Sequence, residues 1–361
     1  SSPAGAAIAS YSSENRGYTE FAVDGLTVRN NVVHNFNTYG VTLGPDAYLP
    51  TGNNLVTRNV IANLADYRPT ANPWWNRVGV ILYNNSYASV TDNDFTRVNI
   101  AVQTNNFHLA NPGVPAVVSG NDVEAEVVGL WDNLRYQASS PFTFAGNTVA
   151  PVAYAASKFA GIFVTSVMSA VQSVLTNNVV AAGWDYGYYL WNNWTSAGVT
   201  VSGGSVTGAT AAGILLTNDD LFGASGADQA YSVSGVAITD SAVGIEVYEN
   251  RSGAEDTAVT VSLSDVSVTG GDVGLKLSGN KSFIGGSTLG NTVFTGQSQF
   301  YVQLEAGAPG TTIDGSAASY DGVVGGSASV AQGFAIEDKL KHKLDVGNAA
   351  AGLIRFDGAN L

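Results

Sequence analysis

The chain has 361 residues, of which 42 are glycine and none is cysteine, and 12% are charged. The formal net charge of −14 opposes binding to nucleic acid and to anionic membranes, because both depend on basic residues. The lack of cysteine excludes disulfides and thiolate metal sites, and no segment reaches the roughly 18 consecutive apolar residues of a membrane-spanning helix. We therefore expect neither a nucleic-acid partner nor membrane insertion.

A short strand that follows an asparagine recurs through the first half of the chain. Its copies are Asn31-Val32-Val33, Asn59-Val60-Ile61, Asn93-Asp94-Phe95, Asn121-Asp122-Val123, Asn147-Thr148-Val149 and Asn178-Val179-Val180. Asparagine suits bends, since it tolerates the left-handed conformation and bonds locally to the backbone. The pattern predicts a ladder of stacked asparagines beside a buried column formed by Val33, Ile61, Phe95, Val123 and Val149.

A second strand begins with glycine and alternates apolar residues before it ends in asparagine or aspartate. Its glycines are Gly40, Gly79, Gly129, Gly161, Gly187, Gly213, Gly244 and Gly274, and we place Asn99 at the glycine position of one further copy. From Gly129 onward the glycines are 32, 26, 26, 31 and 30 residues apart, whereas the gap from the preceding short strand is often nine. Constant inner spacing with variable outer spacing indicates stacked coils with insertions at particular turns.

These repeats predict an all-β fold, a right-handed parallel β-helix (solenoid) of roughly ten coils over residues 1–326. A β-sandwich with asparagine-rich turns is the alternative, but it gives no reason for a recurrent spacing. Residues 327–361 are predicted to hold a short amphipathic helix from Phe334 to Leu344 and a strand after Gly352. This tail is interpreted either as a cap on the core or as the start of a following segment.

Through its Asn-x-Val and Gly-Val/Ile-x-Leu units, the chain from Ala22 to Gly326 resembles the pectin-lyase-like right-handed β-helix superfamily. The resemblance implies a secreted or cell-surface protein of the kind found in large bacterial exported proteins. It does not select a function, because lyases, hydrolases, epimerases, phage spikes and adhesins share the fold.

Strand alternation places several aromatic side chains on the outer face of the glycine-initiated strands. The outward column is expected to contain Thr42, Ile81, Ala101, Trp131, Phe163, Tyr189, Leu215, Glu246 and Lys276, and a second column contains Tyr83, Gln103, Thr165, Trp191, Thr217 and Tyr248. Trp74 and Trp75 lie in the longest insertion, between Asn59 and Gly79. Such rings suit stacking on sugars, and packing against protein is the alternative for both the column and the insertion.

The sequence offers weak candidates for catalysis. Asp132, Asp219 and Asp220 are the acids that a polysaccharide-degrading enzyme would use, although solvated turn residues are the simpler interpretation. His34, His108 and His342 are widely separated, so no zinc site and no cofactor is expected, and calcium is unsupported.

Two functions of different classes follow from these observations. The first hypothesis is a secreted or cell-surface module for adhesion or glycan binding within a larger exported protein, with a polysaccharide or another surface protein as partner. The second is a polysaccharide-degrading enzyme, a lyase or a glycoside hydrolase, whose substrate groove is the aromatic face. Acidic polysaccharides fit the net charge of −14 less well than neutral ones.

Overall fold

A computed structural model of the chain describes residues 6–10, 25–44, 51–63, 77–83, 86–105, 116–133, 135–136, 142–155, 157–165, 167–168, 173–191, 199–217, 229–249, 259–279, 287–304, 312–314, 317–321, 323–324, 327–329, 343–344 and 354–356. The chain divides into two compact units, Ser1–Trp184 and Asp185–Leu361. Strands account for all the regular secondary structure of the described residues.

The strands of the first unit are short, apart from two long ones. They are β1 (Ala6–Ser10), β2 (Thr27–Arg29), β3 (Val32–His34), β4 (Tyr39–Leu43), β5 (Thr51–Thr57), β6 (Val60–Ala62), β7 (Val78–Tyr83), β8 (Ser86–Thr91), β9 (Asp94–Asn105), β10 (Ala116–Ser119), β11 (Asp122–Asp132), β12 (Arg135–Tyr136), β13 (Phe142–Ala145), β14 (Thr148–Pro151), β15 (Ala160–Val164), β16 (Val167–Met168), β17 (Val174–Thr176) and β18 (Val179–Val180).

The second unit is built in the same way. Its strands are β19 (Tyr186–Trp191), β20 (Thr200–Ser202), β21 (Ser205–Thr207), β22 (Ala212–Thr217), β23 (Gln229–Ser234), β24 (Ala237–Thr239), β25 (Val243–Glu249), β26 (Val259–Ser264), β27 (Ser267–Thr269), β28 (Val273–Gly279), β29 (Ser287–Gly290), β30 (Val293–Thr295), β31 (Phe300–Leu304), β32 (Thr312–Asp314), β33 (Ser319–Tyr320), β34 (Val323–Val324), β35 (Ser327–Ser329), β36 (Lys343–Leu344) and β37 (Ile354–Phe356).

Each turn of the solenoid contributes three strands, which we call first, second and third in chain order. In the turn made by β2, β3 and β4, each strand pairs in parallel with its counterpart in the next turn, β5, β6 and β7. In β9 and β11 the second and third strands run together as one long strand. In the second unit, β20, β21 and β22 begin the same pattern by pairing with β23, β24 and β25.

The all-β parallel solenoid predicted from the repeats is confirmed. It has about seven turns rather than roughly ten. We call a step complete when all three strands of one turn pair with the next turn. Among the described residues, complete steps run from β2 to β15 in the first unit and from β20 to β31 in the second.

The buried column predicted from the asparagine repeat is confirmed by the strand register. Val33 pairs with Ile61, Ile61 with Phe95, Phe95 with Val123 and Val123 with Val149. All five side chains are buried. The column therefore fills the interior of the first unit along its second strands.

An asparagine ladder runs beside this column, as the spacing predicts. Each ladder asparagine donates its Nδ2 to the Oδ1 of the next: Asn31 to Asn59 at 3.0 Å, Asn59 to Asn93 at 2.9 Å, Asn93 to Asn121 at 3.0 Å, Asn121 to Asn147 at 2.9 Å and Asn147 to Asn178 at 2.8 Å. The backbone N–H of Asn121 also donates to Asn147 Oδ1, and Asn121 Nδ2 donates a second bond to the Val90 carbonyl. These bonds satisfy the amides in the interior.

The left-handed conformation belongs to the residue before each ladder asparagine. Positive φ angles occur at Asn30, Arg58, Asp92, Gly120, Gly146 and Asn177. The bend is therefore made by one residue, and the following asparagine is free to extend its amide to the neighbouring turns. In the second unit Val236 and Val266 stand after the positive-φ residues Gly235 and Asp265, and both valines are buried.

The glycine that opens most third strands is required by close packing of the backbone. A Cβ at Gly129 would lie 2.4 Å from the Gly161 carbonyl oxygen and 2.2 Å from Val149 Cγ1. A Cβ at Gly244 would lie 2.6 Å from the Gly274 carbonyl oxygen. Any larger residue has to push neighbouring backbone aside.

In residues 327–361, one of the two predicted elements, the strand after Gly352, is present in the structure. Ile354–Phe356 forms β37, where a strand after Gly352 was expected. Residues 334–342 of the predicted helix lie outside the described residues, and Lys343–Leu344 forms β36 instead of its last turn. The boundary placed after residue 326 stays a prediction.

The first test concerns the buried column. Val123→Asp places a carboxylate in the interior, where an unpaired charge costs several kcal/mol. We expect this variant not to fold, as measured by circular dichroism. The control is Val179→Asp, the same substitution at a side chain that is 44% exposed. Equal thermal stability of the two variants would contradict the register.

A second test concerns the ladder. Asn121→Ala removes one hydrogen-bond partner from each of three groups: the Val90 carbonyl, Asn93 Nδ2 and Asn147 Oδ1. We expect a loss of about 2–4 kcal/mol in the free energy of unfolding, because each unsatisfied buried group costs about 1–3 kcal/mol. Asn31→Ala, at a partly exposed end of the ladder, is the control and should cost less in the same denaturant titration.

Candidate functional site

The outer face of the third strands in the first unit has a clear register. Thr42 pairs with Ile81, Ile81 with Gln103, Gln103 with Trp131 and Trp131 with Phe163. The glycine position of β9 is taken by Ala101, whose carbonyl oxygen would lie 2.6 Å from a Cβ at Gly79. The placement of Asn99 in that position is therefore wrong, and Gln103 replaces Ala101 in the outward column.

Trp131 and Phe163 are packed against each other. Their ring centroids are 5.4 Å apart with an interplanar angle of 19°, and each side chain is 7% exposed. Trp131 Nε1 donates to Thr165 Oγ1 at 3.0 Å, and Thr165 Oγ1 donates to Asn133 Oδ1 at 3.1 Å. Both rings are nearly buried, so they pack against the protein, which is the alternative that the sequence left open for the column.

Gln103, beside Trp131, has an unusual environment. Its side chain is fully buried, and neither Oε1 nor Nε2 has a hydrogen-bond partner in the part of the chain that the structure describes. An unpaired buried polar group costs about 1–3 kcal/mol. Tyr83, two residues after Ile81, is 36% exposed at the edge of the same face.

Asp132 lies inside the solenoid. It pairs with Thr104 and Val164 on the inward side of the third strands, and its side chain has no exposed surface. Thr104 Oγ1 donates to Asp132 Oδ1 at 2.8 Å, and Ser173 Oγ donates to Asp132 Oδ2 at 2.9 Å. A carboxylate held in the core cannot reach a polysaccharide on the outer face, so Asp132 is a structural residue.

A buried ion pair, which the sequence did not reveal, joins Arg77, just before β7, to Glu126 in β11. Arg77 Nη2 lies 2.6 Å from Glu126 Oε2 and donates to Asn99 Oδ1. Tyr154 OH donates to Glu126 Oε1 at 3.3 Å. Each of the two charged groups has a further polar partner, and these contacts offset the cost of removing the charges from water.

The outer face of the third strands in the second unit also forms two columns. In one, Tyr189 pairs with Leu215, Leu215 with Glu246, Glu246 with Lys276 and Lys276 with Gln303. In the other, Trp191 pairs with Thr217, Thr217 with Tyr248 and Tyr248 with Ser278. This register agrees with the columns expected from the sequence.

The aromatic side chains of this face are more accessible than Trp131. Tyr189, Trp191 and Tyr248 are half-buried. Tyr186 meets Tyr189 edge to face, with centroids 5.0 Å apart, and burial, with the negative charges of Glu246 and Asp185, raises the pKa of Tyr186. The phenol of Tyr186 therefore stays neutral at physiological pH.

Two polar features accompany these rings. Lys276 Nζ lies 3.2 Å from Glu246 Oε1, so the two charges compensate each other. Thr217 Oγ1, on the strand between Trp191 and Tyr248, is buried and has no hydrogen-bond partner among the described residues. The half-buried rings and the ion pair form a surface suited to a polar ligand with apolar faces.

The remaining candidates lie elsewhere. Trp74, Trp75, Asp219, Asp220, His108 and His342 fall outside the described residues, and His34 is exposed. Within the described ranges, no group of three or more histidine, aspartate or glutamate residues is arranged to hold a metal ion. No helix in that part of the chain has the length and apolar character needed to cross a membrane.

Comparison with known proteins gives no relative on which to base a function. Protein-family models, curated proteins and solved structures all fail to match the chain significantly.

The unpaired amide of Gln103 yields a stability test. Gln103→Met keeps the volume and removes both unpaired atoms, so we expect the free energy of unfolding to rise by about 1–2 kcal/mol. The control is Gln297→Met: Gln297 Oε1 also lacks a partner among the described residues, but its Nε2 donates to the carbonyls of Val268 and Gly270. That variant should lose stability in the same calorimetric measurement. A loss of stability in both variants would show that Gln103 has a partner.

Proposed function

We propose that this chain is a secreted or cell-surface β-solenoid module for adhesion or glycan binding, part of a larger exported protein. The observation that carries the proposal is the outer face of the second unit, where half-buried Tyr189, Trp191 and Tyr248 share two adjacent columns. Sugar rings present apolar C–H faces that stack on such rings. Their hydroxyls need polar partners beside the stack.

The polar partners are present on the same face. Glu246, Lys276 and Gln303 continue the column of Tyr189, and Thr217 continues that of Trp191. Most pockets that recognise small polar ligands combine apolar walls with a few placed polar groups. A polysaccharide is therefore the favoured partner, and another surface protein is the alternative.

We also propose membership of the pectin-lyase-like superfamily. The three-stranded parallel turn and the asparagine ladder from Asn31 to Asn178 support this assignment. The fold supports several chemistries and also simple binding. With Asp132 in the core, binding without catalysis is the function that the described side chains favour.

The test is a double substitution, Tyr189→Ala with Trp191→Ala. Both rings are half-buried, so we expect a cost of about 1–2 kcal/mol in stability, below the 3–5 kcal/mol of a fully buried aromatic residue. Retention on immobilised polysaccharides, scored by affinity electrophoresis and a glycan array, should be lost. Tyr154→Ala removes a tyrosine of the first unit that is 39% exposed, and it should leave retention unchanged.

Unchanged retention of the folded double variant would rule out this face as the glycan contact. Release of shortened or unsaturated sugars by the wild-type chain during the assay would instead favour the enzyme.

A further inference from the structure

Trp191, Thr217 and Tyr248 occupy equivalent positions on three successive strands, β19, β22 and β25. Neighbouring strands of a sheet lie about 4.8 Å apart, so the indole and the phenol are anchored about 9.6 Å apart. The short side chain of Thr217 lies between them. Along the column, a short side chain with a hydroxyl therefore separates two aromatic rings.

The hydroxyl of Thr217 is the group of this column whose hydrogen-bonding capacity is unused. Its side chain is 1% exposed, and its Oγ1 has no hydrogen bond to any residue that the structure describes. A ligand can bond to Oγ1 only after a neighbouring side chain changes rotamer, and exposed side chains do so within picoseconds to nanoseconds. A ligand hydroxyl that bonds to Oγ1 then removes an existing desolvation cost.

The charges on this face favour an uncharged ligand. Glu246 and Lys276 form an ion pair at 3.2 Å, so the cation of these columns is already compensated. The net charge of −14 further repels a polyanion.

We propose that the face binds a neutral, extended β-1,4-linked glycan that runs across the strands, with Trp191 and Tyr248 on alternate sugars and Thr217 Oγ1 bonded to a hydroxyl between them. An extended β-1,4-linked chain turns each sugar over relative to the last, so the same ring face returns at every second sugar. That repeat is close to two strand spacings. The inference rests on the proposed glycan binding and names its substrate class and subsite.

The decisive variant is Thr217→Val, which keeps the shape and removes the hydroxyl. Calorimetric titration with linear β-1,4-linked glucose oligomers of two to six sugars should show roughly tenfold weaker binding than wild type, the equivalent of one lost hydrogen bond. The melting temperature without ligand should be unchanged or higher, because an unpaired buried group is removed. Thr217→Ser, which keeps the hydroxyl, should bind like wild type.

Two further comparisons separate this subsite from glycan binding in general. Tyr248→Ala should weaken binding of the longer oligomers, whereas Tyr248→Phe should not, if the ring acts by stacking. Polygalacturonate oligomers should not compete. Wild-type binding by Thr217→Val, or preference for polygalacturonate, overturns the subsite while glycan binding stands. If no array glycan binds the wild-type chain, the proposed function itself fails.

Discussion

The parallel pairing of the first, second and third strands with their counterparts in the next turn is the constraint on which this structure depends. It stacks equivalent residues about 4.8 Å apart, so each position is selected by its ability to stack on a copy of itself. Asparagine meets this condition in the interior, since its amide has a donor for one neighbour and an acceptor for the other, as Asn93 shows with Asn59 and Asn121. Aspartate stacks on aspartate only where water solvates both carboxylates. Asp94 and Asp122 occupy paired positions on β9 and β11, and both are exposed.

The sequence predicted the fold because this constraint leaves a visible repeat. The asparagine spacing gave both the ladder and the buried column from Val33 to Val149 correctly. The register of β9 was misplaced, because Asn99 was taken for a glycine substitute when the residue aligned with Gly79 is Ala101. A shift of two residues preserves the facing of a strand, so alternation alone could not expose this error.

The candidate site was predictable only in part. Alternation from the glycine gave the outward positions in the second unit, including the adjacency of Glu246 and Lys276 that becomes an ion pair. The same alternation places Asp132 inward, where its carboxylate cannot act on a polysaccharide at the outer face. The burial of Trp131 and the unpaired state of Gln103 depend on what covers the strands, which a repeat pattern does not encode.

The periodicity that builds the core also shapes what the outer face can recognise. A column repeats its positions at a fixed interval, so a ligand with a matching repeat makes similar contacts at successive rungs, whereas a small ligand makes one. Each hydrogen bond contributes about 0.5–1.5 kcal/mol, and the contributions along a chain accumulate while the orientational cost of binding is met once. In the proposed complex, Thr217 interrupts the aromatic column and sets the phase of the polymer, because its hydroxyl would be satisfied at one position of the glycan relative to Trp191 and Tyr248. The proposed recognition of a polymer of regular repeat therefore uses the same stacking that holds the strands together.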